Sequence, residues 1–103
     1  MISRVPVRGT TCLAWHIPAF KDGGTVVHWR EPSRRFSRVR VVAWTCYVHR
    51  VTWYELCEFG GLSFIRRTAD VGDTRSPVVS ESQAWPRAEA RAVWVALLAG
   101  RAR

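Results

Sequence analysis

The chain of 103 residues contains no asparagine, one lysine (Lys21), one glutamine (Gln83) and one methionine. Arginine supplies all but one of its basic residues, a composition that a GC-rich genome imposes on many proteins. The net charge of +8 and the pI near 11 therefore carry codon usage as well as any ligand preference. No apolar run approaches the ~20 residues that span a bilayer, which argues against a membrane partner. The opening MISRVPVRGTT lacks the continuous apolar stretch of a secretory leader, so a cytoplasmic location is expected. Three cysteines, Cys12, Cys46 and Cys57, are too few and odd in number for a disulfide framework. Reduced, partly buried thiols are the expectation. No G-x-S-x-G, P-loop, H-E-x-x-H or dinucleotide fingerprint occurs, so neither an enzyme nor a cofactor is expected.

Within this chain, Trp53 to Thr68, WYELCEFGGLSFIRRT, reads as a β-hairpin closed by Gly60-Gly61. Primed two-residue turns need positive φ, which glycine adopts without steric cost. That turn sets the register. Phe59 faces Leu62, Cys57 faces Phe64, and Glu55 faces Arg66 with opposite charge; on the other side Glu58 meets Ser63, Leu56 meets Ile65 and Tyr54 meets Arg67. The Phe59, Leu62, Cys57 and Phe64 face is the more apolar and is expected to take the helix described next. Leu56 and Ile65 form a smaller patch opposite.

From Arg87 to Ala99, apolar residues Ala90, Val93, Trp94, Leu97 and Leu98 recur at helical spacing. Pro86 suits the first turn, Glu89 the positive dipole end, and Gly100 the stop. Upstream of the hairpin, residues 38–52 are rich in β-branched and aromatic residues and read as a strand, with a helix over 41–51 as the rival. No glycine, proline, asparagine or aspartate interrupts Arg38 to Phe59, so so long a strand requires a bulge or bend, near His49-Arg50. Residues 69–76 read as a polar loop, and Val78–Ser82 as a short strand. The expected fold is α+β: a small antiparallel sheet of three to four strands packed against one C-terminal helix, over residues 38–103. Residues 1–37 are broken up by Pro6, Pro18, Pro32 and Gly23-Gly24. They read either as two short strands, 13–17 and 25–29, or as a basic N-terminal arm.

Cys12-x3-His16 and Cys46-x2-His49 look like halves of a zinc site. On a regular strand, however, Cys46 and His49 point to opposite faces, and no metal is expected. Glu55 and Glu58 are separated in the same way and make a poor acid–base pair. Arginines interleaved with aromatics suit phosphate contact and stacking. Nucleic acid is thus a possible partner, with Arg50, Tyr54, Arg66, Arg67 and Arg75 as the contact set and Ser63 beside them. The alternative is a protein-interaction or accessory module, self-associating through a sheet edge or through exposed members of the six tryptophans.

The β-β-β-α order, with Trp85-Pro86-Arg87-Ala88-Glu89-Ala90 opening a helix that ends at Leu97-Leu98, resembles the arm-type DNA-binding domains of phage integrases and the related AP2-like domains. That resemblance implies a sheet presented to DNA. It covers the last fifty residues, and the integrase catalytic domain has no counterpart here. The segment YELCEFGGLSFIRRT also resembles small uncharacterised proteins of GC-rich actinobacteria and their mobile elements, which implies no activity.

Overall fold

Gly60 and Gly61 take φ of 50° and 84°, and the strands they join pair throughout in the register expected. A computed structural model describes residues 14–33, 38–70 and 76–103. Its elements are β1 (Arg40–Trp44), β2 (Thr52–Phe59), β3 (Leu62–Ala69), β4 (Val78–Glu81), β5 (Trp85–Pro86) and α1 (Arg87–Leu98). The named strands pair antiparallel, in the order β1-β2-β3-β4, and β5 adds to β3 beside its turn end. The architecture is α+β, a small antiparallel sheet and one C-terminal helix.

The long strand foreseen over residues 38–52 stops at Trp44. Its pairing with β2 shifts register between Val41 and Ala43, and the chain then bends through Tyr47–His49. An irregularity of this kind bends the strand and increases its local twist, so β1 does not run straight on beside β2. The bend comes slightly earlier than the expected His49-Arg50.

Helix α1 lies on the opposite sheet face from the one anticipated. Ala90, Trp94 and Leu97 pack with Tyr54, Leu56 and Ile65. The reason is the supply of apolar cover. Val27 joins this core, with Ile17, Trp29 and Trp85 packed against it, so the smaller Leu56–Ile65 patch is enlarged from outside the hairpin. On the other face Cys57 and Phe64 are also fully buried, and Phe59 meets Phe64 edge to face.

Pro86 is the residue flanking α1 at its start, with φ −55° and no side-chain cap. At the end, Gly100 N–H donates to Leu97 O and Arg101 N–H to Ala96 O, with Gly100 at φ 76°. This is the Schellman arrangement, which satisfies carbonyls that have no partner inside the helix. The lone lysine completes it: Lys21 Nζ donates to Ala99 O at 2.7 Å, and Lys21 N–H to Gly100 O at 2.8 Å.

Residues 14–33 are tied to the rest of the fold by backbone pairing. Cys46 N–H donates to Trp15 O at 2.9 Å. Thr25 and Val27 donate to Arg101 O and Arg103 O, and Arg103 N–H returns a bond to Thr25 O. Arg30 and Glu81 exchange two bonds of 2.9 and 2.8 Å. Of the two short segments expected, 13–17 and 25–29, the described residues 14–17 and 25–29 contribute isolated bridges at Trp15 and Thr25 rather than strands, and Leu13 lies outside the described residues.

Candidate metal centre and the surface around it

The bend after β1 and the segment before it meet at three side chains. His16, Cys46 and His49 place one ligand atom each within 4.8 Å of the others. Cys46 Sγ lies 3.4 Å from His49 Nδ1, and the His49 backbone N–H donates to the same sulfur at 3.2 Å. The two imidazoles are tilted 51° with centroids 5.4 Å apart. The bend brings Cys46 and His49 together where strand alternation would have parted them. The expectation that they point apart is corrected on that ground. Cys12, the remaining half of the sequence pattern, lies outside the described residues.

A thiol beside an imidazole is also how a cysteine nucleophile is activated. Here Cys46 is buried, with 1% of its surface exposed. Cys57 is the other buried thiol. Burial pushes it from 9.0 up to about 11, Glu55 and Glu81 add to the rise and Arg66 opposes it. It is a protonated core residue at neutral pH.

Of the residues singled out for nucleic acid, the described ones do not share one open face. Tyr54 is 8% exposed, in one core with Val27, Trp94 and Leu97, and Ser63, paired with Trp85, is 1% exposed. Arg67 shares that face and lies over the Trp29 ring at 5.8 Å, while Trp29 is tilted against Tyr54. Its Nε is buried with no hydrogen-bond partner among the described residues. Arg66 is on the opposite face, held by Glu55 at 3.2 Å as expected. Arg50 is exposed. Arg75 lies outside the described residues. The sheet face proposed for DNA is therefore an interior surface.

A different surface is open. Trp15, Trp44, Tyr47 and Val48 are 52–71% exposed and border a shallow apolar depression with Ala14, Val42, Ala43 and Cys46. Val42 and Ala43 also belong to a neighbouring groove between β1 and α1, walled by Arg40, Arg87 and Arg91. Glu58 bridges Arg40 and Arg87 at 3.1 and 3.3 Å, leaving three guanidiniums to one carboxylate. Nothing in the sequence periodicity indicated this surface. The signal that existed was the number of tryptophans, of which Trp15 and Trp44 are among the exposed ones.

Among the described residues no helix is long and apolar enough to cross a membrane. No protein-family model, curated protein or solved structure matches the chain.

Proposed function

We propose that this chain is a non-enzymatic binding domain whose ligand is single-stranded nucleic acid, taken along the exposed edge of β1. The observation that supports the reading is the joined surface just described, in which exposed Trp15, Trp44 and Tyr47 adjoin the Arg40–Arg87–Arg91 groove through Val42 and Ala43. Single strands are held by a positive groove that tracks phosphate and by aromatic rings on which bases stack. Duplex DNA offers its bases only through grooves and has less use for exposed indoles. The same apolar depression favours a second reading, a protein partner or a second copy docking on Trp15, Trp44 and Tyr47.

Salt separates the two. The full chain is titrated against labelled single-stranded and duplex oligonucleotides at ~50 and ~200 mM salt, a range over which several phosphate contacts cost orders of magnitude. Binding of the single strand is expected to weaken steeply with salt. Trp44→Ala should weaken it by ~1–3 kcal/mol, the scale of one stacked base. Arg91→Ala should reduce both affinity and salt slope, while Arg66→Ala, whose guanidinium is engaged by Glu55, leaves them nearly unchanged. No binding at the lower salt sinks the nucleic-acid reading. Self-association that ignores salt and is lost in Trp44→Ala supports the second.

A further inference from the structure

We propose that His16, Cys46 and His49 form a structural zinc site that pins residues 14–17 to the bend after β1. The donor set is one thiol and two imidazoles, which suits a borderline-soft ion taking tetrahedral N/S coordination. Zinc bonds of ~2.3 Å to sulfur and ~2.0 Å to nitrogen, at tetrahedral angles, separate the two donors by ~3.5 Å. Cys46 Sγ and His49 Nδ1 are 3.4 Å apart, and the three donor atoms span no more than 4.8 Å. The Cys46–His49 pair already has the separation of two ligands on one ion, and a closure of about 1 Å brings the widest pair of donors to the same dimension.

Two further observations point to an ion. His16 Nε2 is buried with no hydrogen-bond partner among the described residues. An imidazole nitrogen without a partner carries a desolvation cost that a metal bond removes. Second, the His49 N–H bond to Cys46 Sγ stabilises negative charge on that sulfur, which is the form that ligates metal. A core cysteine among apolar side chains has no need of either feature. Three protein ligands leave the fourth position of a tetrahedral ion to water or another exogenous donor.

The site also joins segments distant in sequence at a weakly paired place. Trp15 and Thr45 form only an isolated bridge. A metal there supplies the closure that backbone pairing does not, as small domains with modest cores commonly require. Because Trp15 and Tyr47 flank the ligands in sequence, the ion would hold the aromatic depression in shape as well.

The test uses the full reduced chain, with Zn2+ and Co2+ as probes. One equivalent of zinc is expected by mass spectrometry of the metal, retained through dialysis. Cobalt should give the intense visible bands of tetrahedral coordination together with thiolate-to-metal charge transfer. Cys46→Ala, His49→Ala and His16→Ala should each weaken binding by about 10-fold or more, since even outer-shell partners of a metal are worth that much. His28→Ala and Cys57→Ala should retain the full equivalent. Loss of fold is controlled by His49→Cys, which keeps a ligand at that position and should bind cobalt with stronger charge transfer. Failure of the reduced wild-type chain to take up either ion overturns the proposal, as does full zinc retention in Cys46→Ala. Stoichiometric copper or iron in place of zinc overturns the assignment of the ion.

Discussion

Cys57 has no accessible surface and stands among Glu55, Arg66 and Glu81. Burial disfavours its thiolate, so the folded protein holds the proton to about 11 while the unfolded chain releases it near 9.0. Between those values the folded state binds more protons than the unfolded one, and stability must fall as pH rises. The slope contributed by this group approaches about 1.4 kcal/mol per pH unit. Urea unfolding between pH 9 and 11 is therefore expected to show a steeper alkaline loss for the wild type than for Cys57→Ala. Parallel pH profiles would show that the thiol is not desolvated as described. The comparison of slopes, rather than of absolute stabilities, removes the small cavity cost of the substitution. Thiol-directed alkylation should follow the same order, with Cys57 inert in the native state at neutral pH.

At the scale of elements, turns differ in how tightly their surroundings hold them. Gly61 has φ 84° with open space around it, whereas a Cβ at Gly100 would come within 2.7 Å of the Ala19 carbonyl oxygen. Gly61→Ala is expected to cost about 1 kcal/mol, the left-handed penalty alone. Gly100→Ala adds a backbone clash and should cost ~2–4 kcal/mol. The urea midpoints of the two variants check this, and equal midpoints would remove the argument that residues 18–19 abut the end of α1. Both glycines were readable from sequence, as was the whole hairpin register, because local chemistry specifies them. The face that takes α1 was not readable. Both hairpin faces carry apolar residues, and the deciding contributors, Val27 and Trp29, come from a segment whose prolines and glycines hide any period. The metal cluster was half visible for the same kind of reason. Cys46-x2-His49 stood out as spacing and a bend was expected near His49-Arg50, but no glycine, proline, asparagine or aspartate marks its place at Tyr47–His49, and nothing in the spacing showed that it brings these two residues to His16.

The molecule as a whole is larger than the unit the sequence marks off. Residues 38–103 contain every named strand and the helix, yet Tyr54, Trp94 and Ala102 share their core with Val27, and Trp29 packs on it. Burying an aliphatic or aromatic side chain contributes ~1.5–3 kcal/mol. A chain this size has only ~5–15 kcal/mol in total. Cutting at residue 38 removes both side chains. It also leaves unpartnered the carbonyls of Arg101 and Arg103, the N–H of Arg103, and both main-chain groups through which Glu81 meets Arg30. The 38–103 fragment is therefore expected to melt at least 10 °C below the full chain, since a domain of this length shifts ~4–8 °C per kcal/mol, or to lose a cooperative transition altogether. Near-UV circular dichroism is the sensitive readout, because Trp29, Tyr54 and Trp94 lie in or against one core and their signals depend on its order. Both proteins are compared with chelator present, so that loss of His16 as a metal donor does not enter. A fragment that melts as cooperatively and as high as the full chain would mean that residues 14–33 rest on the domain without stabilising it. The zinc site would then have to be tested as a clamp on an otherwise loose segment rather than as a staple within one core.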